Sequence, residues 1–350
     1  MIRARRTRDR PAGTATVSPR VGACAVYGSA ASTALACVAV VGDRTAVTYA
    51  LGLTAFWWLV PGVPLLLVAL LRRRRVAAVV LVAPALTAAL LCVPRPWQGG
   101  VADGGPVLRV ATWNITAGAP ARGVLRLADD TAPDVLVLQE VSARALRELA
   151  PLGVAYPHRH VSQHAWAAPW GVPSGTAVFS RHPVTGVRPV EGLPPAARPT
   201  DVVTLDVRGR RVDVLSVHLA SPCLGCRFHP SDPGPAGGTG PAARLRSQEA
   251  ARLADLAREL HRGGAAVVVA GDINASDLNR PGWAFARAGL VDAYRAVAWG
   301  PGLTRGARPG LARIDVVEVA GLEPVGAWVG GRGESDHAPV IADLALPGAA

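Results

Sequence analysis

The sequence contains no lysine, so all 37 basic residues are arginine. Charged residues make up only 18% of the chain and aromatic residues 5%, whereas half of the residues are hydrophobic. An intrinsically disordered chain is excluded, because such chains are poor in apolar residues and rich in charge. The arginines accompany 38 glycines, 30 prolines and abundant alanine. This composition is typical of a GC-rich genome, so arginine usage alone is no evidence of phosphate recognition.

The chain also has no internal repeat and no glycine-rich phosphate-binding loop. These absences argue against a repeat architecture and against a nucleotide-binding fold that cradles phosphates in such a loop. The length of 350 residues allows two or three domains, and the apolar fraction is sufficient for a large core.

The formal net charge of +12 is concentrated near the N-terminus. Residues 1–93 contain eleven arginines and two acidic residues, so nine of the twelve excess charges lie there. A nuclease normally presents a basic surface along the phosphate backbone. The nearly neutral remainder of the chain therefore weakens a nucleic-acid interpretation.

Three long apolar stretches lie in the same N-terminal region. Each is close to the ~20 residues that a helix needs to cross the hydrocarbon core of a bilayer. No polar face recurs at helical spacing, which argues against buried helices of a soluble core. The sequence therefore predicts three transmembrane helices within residues 21–93. They are Val21–Val41, Ala46–Leu71 and Val76–Val93.

Arginines around these stretches predict their orientation. Residues 1–20 contain six arginines and Arg72–Arg75 separate the second and third stretches, whereas residues 42–45 contain one aspartate and one arginine. Because positively charged loops stay in the cytoplasm, residues 1–20 are predicted to form a cytoplasmic tail. Three crossings then place everything after Val93 outside a multi-pass membrane protein. A cleaved signal peptide ending at Ala36 is the alternative, and it leaves the C-terminal region outside as well.

Residues 94–106 have the Pro, Gly and Asp content of a linker, and residues 107–347 follow as a separate domain. Short β-branched runs there alternate with amphipathic stretches, and neighbouring strands have turn-length connections such as residues 208–211. This pattern favours a mixed or antiparallel α/β (α+β) sheet over a doubly wound parallel one. The predicted strands are Val107–Ile115, Asp134–Glu140, Gly175–Ser180, Asp201–Val207, Val212–Leu219, Ala265–Asp272, Ile314–Val319 and His337–Leu344, and the predicted helices are Ser142–Leu149 and Ala242–Arg262.

Polar side chains interrupt or end these apolar strands. They are Asn114, Glu140, His218, Asp272, Asn274, Asp315, Asp336 and His337. Each alone is consistent with an exposed turn, but a carboxylate buried alone is costly and is normally paired, solvated or bound to a metal. Magnesium prefers hard oxygen ligands. The transition state of phosphate ester cleavage needs hydrogen-bond donors and a base for water. The set as a whole fits metal-assisted cleavage of a phosphate ester.

Seven short segments containing these residues resemble, in order, the endonuclease/exonuclease/phosphatase superfamily, which includes DNase I-like nucleases, sphingomyelinases and inositol phosphatases. The segments are Thr-Trp-Asn-Ile (112–115), Leu-Gln-Glu (138–140), Gly-Thr-Ala-Val-Phe-Ser-Arg-His-Pro (175–183), Ser-Val-His-Leu (216–219), Gly-Asp-Ile-Asn (271–274), Arg-Ile-Asp (313–315) and Ser-Asp-His-Ala-Pro-Val (335–340). The resemblance implies a four-layer α/β/β/α sandwich, with the site where loops of the two sheets converge.

The resemblance also implies a role for each residue. Glu140 would be the principal ligand of Mg²⁺ or Mn²⁺, with Asn114 and Asp336 close to the metal. Asp272 would orient or deprotonate the attacking water, and Asn274 would bind the phosphate. His218 and His337 would donate hydrogen bonds to phosphate oxygens. Asp315 would pair with His337. The family's essential set is complete, so we expect a metal-dependent phosphoric ester hydrolase. Its turnover should fall by orders of magnitude in Glu140→Ala or His337→Ala.

The motifs indicate the chemistry but not the leaving group. A membrane anchor favours an envelope lipid phosphate or pyrophosphate, because tethering raises the effective concentration of enzyme at the bilayer. The layout is similar to that of the VanJ-type proteins of actinobacteria. Those proteins are linked to glycopeptide-antibiotic resistance and proposed to act on the undecaprenyl lipid carrier. The alternatives are an outward-facing nuclease for extracellular DNA or RNA and a non-catalytic envelope scaffold.

Two loops carry further features. Trp166 and Trp170 would either rest in a lipid interface or pack beneath their own loop. Cys223 and Cys226 would face the oxidising side of the membrane, which favours a disulfide between them. His229 completes a Cys-x2-Cys-x2-His spacing, but three ligands without a fourth are weak evidence for zinc.

Overall fold

The computed structural model describes residues 19–95, 106–162, 174–222 and 239–346. A group of N-terminal helices precedes a domain built on two β-sheets. The predictions for Trp166 and Trp170, and for the Cys223–Cys226 disulfide, concern residues outside this described part of the chain.

Within residues 19–95 the N-terminal group has five helices. They are α1 (Pro19–Val41), α2 (Ala46–Leu53), α3 (Ala55–Leu59), α4 (Gly62–Leu71) and α5 (Arg75–Leu90). Of the described helices, α1 alone is long and apolar enough to cross a membrane unaided. The chain bends by 75° between α2 and the α3–α4 segment, near Thr54, and α5 has only 16 residues. The bent pair would be a second span if it crossed as one unit, so three spans remain a prediction.

The described residues of the second region form twelve strands and five α-helices. The strands are β1 (Val107–Asn114), β2 (Val135–Ser142), β3 (His158–Ser162), β4 (Ser174–Ser180), β5 (Val184–Pro189), β6 (Asp201–Val207), β7 (Arg210–His218), β8 (Ala266–Asp272), β9 (Val291–Asp292), β10 (Asp315–Ala320), β11 (Glu323–Val329) and β12 (Val340–Ala345). The helices are α6 (Arg122–Thr131), α7 (Ala143–Glu148), α8 (Thr239–Arg262), α9 (Arg280–Arg287) and α10 (Ala293–Val297).

The strands form two six-stranded mixed sheets. The first has the order β11-β12-β1-β2-β4-β3 and the second β5-β6-β7-β8-β10-β9. The pairs β1–β2 and β7–β8 are parallel, and the other described pairs are antiparallel. The predicted mixed α/β architecture is confirmed, and a doubly wound parallel sheet is excluded.

The two sheets pack face to face through an apolar core. Val110 and Val137 of the first sheet and Val214 and Val268 of the second belong to one buried cluster. The outer face of the first sheet is covered by α6 and α7, and that of the second by α8 and α9. Because both faces of the central strands are buried, their sequences are nearly continuous apolar runs. The layers follow the order helix, sheet, sheet, helix.

Gly271 allows β8 to reach the site at its end. Its φ is 148°, and a β-carbon there would lie 1.9 Å from the carbonyl oxygen of Val217. Gly271→Ala is therefore expected to destabilise the domain by about 3 kcal/mol or more, since a disfavoured φ and a backbone clash combine. Thermal unfolding would measure this loss.

Gly209→Ala is the matched control for that substitution. Gly209 also has a positive φ, of 81°, but a β-carbon there would meet nothing within 4 Å. Gly209→Ala should therefore lower the free energy of unfolding by about 1 kcal/mol, from backbone strain alone. Equal losses in the two variants would show that the approach of β8 to β7 does not require glycine.

Candidate active site

The ends of six strands bring the predicted residues to one edge of the sandwich. Asn114 and Glu140 lie on β1 and β2 in the first sheet, and His218 and Asp272 end β7 and β8 in the second. His218 is in register with Asp272, which is also in register with Asp315 on β10. Parallel neighbours end at the same edge of a sheet, so both parallel pairs deliver their polar residues to one place.

Asn114 connects the two sheets. Its buried Nδ2 donates to Oε1 of Glu140 at 3.0 Å and to Oδ2 of Asp272 at 3.1 Å. Its Oδ1 accepts from the backbone N–H of Thr116 at 3.0 Å. A single amide thus holds carboxylates of both sheets, which fixes the separation of the two halves of the site.

Glu140 occupies a strained position in β2. Its φ is 58°, and the pairing of β2 with β4 is irregular between Leu138 and Val141. This bulge directs the carboxylate into the site, where Oε2 accepts from the N–H of Ala117 at 2.7 Å. Strain of this kind in a non-glycine residue is concentrated at functional sites.

His337 forms a buried pair with Asp315. Its Nδ1 lies 2.9 Å from Oδ2 of Asp315, which is fully buried. Burial disfavours the imidazolium, but the charges of Asp315 and Asp272 outweigh it and raise the pKa of His337 to about 9. Nδ1 therefore donates to Asp315, and Nε2 faces Oδ2 of Asp272 at 3.8 Å. At neutral pH this residue is a fixed cationic donor.

Asp272 is buried at the centre of the site. Burial raises the pKa of its carboxyl group, the cationic His337 opposes this, and the net value is about 6. Oδ1 accepts from the backbone N–H of Asn274 at 2.8 Å. At neutral pH the group is therefore an anion that gains a proton readily, which suits a general base.

His218 is a neutral imidazole at the same place. Burial, followed by the positive charges of Arg198 and His337, holds its pKa well below the usual range. Nε2 lies 3.7 Å from Oδ2 of Asp272 and 3.8 Å from Oε1 of Glu140. It is buried and makes no hydrogen bond within the described residues, so it is directed into the space between the two carboxylates.

Asn274 and Asp336 flank this centre. The Nδ2 of Asn274 donates to the carbonyl of Leu219 at 3.0 Å, so phosphate binding by this amide stays a prediction. Asp336 accepts from Oγ1 of Thr116 at 2.6 Å and pairs with Arg305. Partial burial opposes ionisation of Asp336, but these two contacts and His337 lower its pKa overall. Its Oδ1 is 3.8 Å from Nε2 of His337.

Two sets of side chains have the chemistry to hold a cation. Potential ligand atoms of Asp272, Asp315 and His337 lie within 4.8 Å of one another, but Asp315 already binds Nδ1 of His337. In the described chain, Glu140 contacts the side-chain amide of Asn114, the backbone N–H of Ala117 and the neutral imidazole of His218. A half-buried carboxylate with neutral partners is a suitable ligand for a divalent cation.

Sequence reasoning missed several residues that support the site. Ser335 donates to the carbonyl of Asn114 at 2.7 Å and accepts from the N–H of His337 at 2.9 Å. Thr116 joins Asn114 to Asp336. Ser335 begins one recognised motif and Thr116 directly follows another, which was an available signal. Tyr49, whose hydroxyl reaches the carbonyl of Asn274 at 3.1 Å, comes from α2, and nothing in its sequence context indicates this contact.

The sandwich and the site at its edge define a class of phosphate-ester-cleaving enzymes. A family model described as "Endonuclease/Exonuclease/phosphatase family" matches residues 111–337. The chain belongs to this family and is a metal-dependent phosphoric ester hydrolase. No curated protein matches the chain.

Solved structures share the fold. An endonuclease/exonuclease/phosphatase from Beutenbergia cavernae DSM 12333 is 27% identical, with a TM-score of 0.53 over 69% of this chain and 72% of that one. The human Nocturnin catalytic domain is 21% identical, with a TM-score of 0.52 over 72% and 99%. The 3′ phosphatase NExo from Neisseria is 20% identical, with a TM-score of 0.51 over 68% and 99%.

Proposed function

We propose that this protein is a membrane-anchored, outward-facing phosphoesterase that hydrolyses a phosphate ester or pyrophosphate of a cell-envelope lipid, such as an undecaprenyl carrier. The observation that carries the proposal is the contact between the apolar helices and the loops of the active site. Ser276, four residues after Asp272, donates from Oγ to the carbonyl of Gly52 at 2.7 Å. Trp57 donates from Nε1 to the carbonyl of Leu311 at 3.1 Å.

The arrangement of α4 and α5 supports the proposed orientation. Arg295 and Gly300 of the catalytic domain contact the carbonyls of Leu91 and Cys92, just after α5. The 16 residues of α5 span about 24 Å at 1.5 Å per residue. The exposed Arg72–Arg75 turn therefore lies at the far end of the helices from the catalytic domain. That separation suits a cytoplasmic turn and a catalytic domain outside the membrane.

Glu140, with Asn114 and Asp336 nearby, would hold a divalent cation, which we propose to be Mg²⁺; such an ion would supply positive charge beside the phosphate and lower the pKa of water. Asp272 takes the proton of that water. His337 donates from Nε2 to a phosphate oxygen as negative charge develops, while Asp315 fixes its tautomer and keeps it cationic. His218 places a neutral donor on the opposite side, from Nε2. The metal-site and catalytic roles are proposals based on this geometry.

The distribution of arginines favours a lipid over a nucleic acid. Four arginines, Arg244, Arg246, Arg308 and Arg313, could form a local basic patch; Arg246 and Arg313 are buried, whereas Arg244 and Arg308 are exposed. Arg246 pairs with Asp43, and Arg313 pairs with Asp277 and Asp292. Neither is accessible to a phosphate backbone, so a nuclease would lack these contacts.

A second group of arginines suits a substrate with more than one negative charge. Arg305, Arg308 and Arg332 lie near Asp336 at the edge of the site. Burial is the main cause of a lowered pKa at Arg332, and repulsion from Arg308 and Arg305 adds to it, while the carboxylates of Asp336 and Asp315 oppose it. A pyrophosphate group would relieve this repulsion more completely than one phosphodiester.

The test uses the full chain in nanodiscs with Mg²⁺ or Mn²⁺. Polyprenyl pyrophosphate, sphingomyelin and plasmid DNA are supplied separately, with the Asp272→Asn variant as control. Phosphate release from polyprenyl pyrophosphate, absent in the variant, is the expected result. Nicked plasmid without lipid hydrolysis would support an extracellular nuclease instead. Inertness toward all three, with the metal bound, would point to a non-catalytic scaffold.

A further inference from the structure

A residue of the N-terminal helices contacts the active-site loop although it lies outside the family-matched segment, residues 111–337. Tyr49 is 2% exposed, and its hydroxyl donates to the backbone carbonyl of Asn274 at 3.1 Å. Asn274 is two residues beyond Asp272. The helix α2 thus reaches the segment that carries the proposed base.

Tyr49 is itself held by a buried ion pair between the two regions. The guanidinium of Arg246 lies 4.9 Å from the centroid of the tyrosine ring. Its Nη2 is 3.0 Å from Oδ2 of Asp43, which lies in the turn between α1 and α2. Its Nη1 donates to the carbonyl of Ala220 at 2.8 Å. Breaking a buried pair of this kind is strongly unfavourable, so the position of the tyrosine is well determined.

These contacts hold both flanks of Asn274. The N–H of Asn274 donates to Oδ1 of Asp272 at 2.8 Å, and its carbonyl accepts from Tyr49. The backbone between these two peptide groups is left-handed, with φ of 48°. That conformation is uncommon for a residue other than glycine and persists only where its surroundings impose it.

We propose that Tyr49 is a positioning residue for catalysis: its hydroxyl holds Asn274 in the left-handed conformation in which the Asn274 N–H orients the carboxylate of Asp272. The active site is then completed by a residue of the N-terminal helices. The inference rests on the proposed function, in which Asp272 is the base. A misplacement of reacting groups by about 1 Å lowers turnover strongly, so one distant hydrogen bond has a measurable effect.

The test compares Tyr49→Phe with Tyr27→Phe in the full chain. Phenylalanine keeps the ring beneath Arg246 and removes only the hydroxyl. Tyr27 also donates to a backbone carbonyl, that of Trp58 at 2.6 Å, but within the N-terminal helices. Two quantities are measured: hydrolysis of bis(p-nitrophenyl) phosphate with Mn²⁺, and hydrogen–deuterium exchange of the peptide covering residues 270–280.

Tyr49→Phe should lower kcat about tenfold, which corresponds to ~1.4 kcal/mol of activation free energy, and leave KM within about twofold. Exchange in residues 270–280 should accelerate, whereas Tyr27→Phe changes neither quantity. Equal behaviour of the two variants would overturn the proposal. If the wild-type protein is inert both toward this diester and toward polyprenyl pyrophosphate, the proposed function fails, and the exchange comparison still decides whether Tyr49 orders the loop.

Discussion

Asp272→Asn is expected to lower kcat about 10³- to 10⁴-fold, within the upper range for loss of a general base. The amide cannot take a proton from water, yet it keeps the size of the carboxyl group. Its Oδ1 still accepts from the N–H of Asn274, which is 2.8 Å from the carboxylate in the wild-type protein. Steady-state hydrolysis of bis(p-nitrophenyl) phosphate with Mn²⁺ would measure the change in kcat.

Asp213→Asn is the control for that substitution. Asp213 is another fully buried aspartate of the same sheet, and it accepts from Oγ1 of Thr204 at 2.7 Å and pairs with Arg211. It lies five residues before His218 on β7, away from the site. Its replacement should affect stability and leave kcat within about twofold. If Asp272→Asn kept a tenth of wild-type kcat, proton transfer to Asp272 would not be part of the reaction.

The central strands could be predicted from sequence, and the edge strands could not. All eight predicted strands are present, with ends shifted by a few residues. The strands that were missed are β3, β5, β9 and β11, which occupy the four edges of the two sheets. An edge strand has one unpaired side and more exposed residues. β5, for example, alternates half-buried and exposed positions over Val184–Gly186 and ends in exposed residues, so its apolar signal is weak.

Both predicted helices of the domain, Ser142–Leu149 and Ala242–Arg262, are present, but three others were missed for a different reason. The described helices α6, α9 and α10 have only ten, eight and five residues. The helix α6 presents a narrow apolar face around Val124 and Leu127, which is difficult to distinguish from an irregular connection. In contrast, α8 extends over 24 residues, and its repeated apolar spacing was sufficient.

The site residues were identifiable because they lie at or beside the ends of apolar strands, and the parallel pairs bring such ends together. What the motifs do not contain is how the site is supported from elsewhere in the chain. Arg246 is an example, because it is fully buried and pairs with Asp43, 203 residues away. Such long-range pairs depend on how the N-terminal helices pack against the catalytic domain, and no local sequence pattern predicts that packing.

Glu140→Gln should lower both metal affinity and turnover, the latter about a thousandfold. A bound divalent ion contributes several kcal/mol to the stabilisation of transition-state charge, and ~4 kcal/mol corresponds to that factor. Glutamine retains the shape of the side chain but removes the negative charge of the carboxylate, which accepts hydrogen bonds from the amides of Asn114 and Ala117. Calorimetric titration with Mn²⁺, together with kcat at saturating metal, would measure the two effects.

Glu148→Gln is the matched control for Glu140→Gln, because Glu148 also accepts from a backbone N–H, that of Ala121 at 2.7 Å. It pairs with Arg144 on the surface and not with the site. The Glu148→Gln variant should have the Mn²⁺ affinity and the kcat of the wild-type protein. If Glu140→Gln instead kept wild-type affinity for Mn²⁺, the ion would be held elsewhere, and the group of Asp272, Asp315 and His337 would become the metal centre. In that case His337 could not act as a cationic donor, since its ring nitrogen would be a ligand.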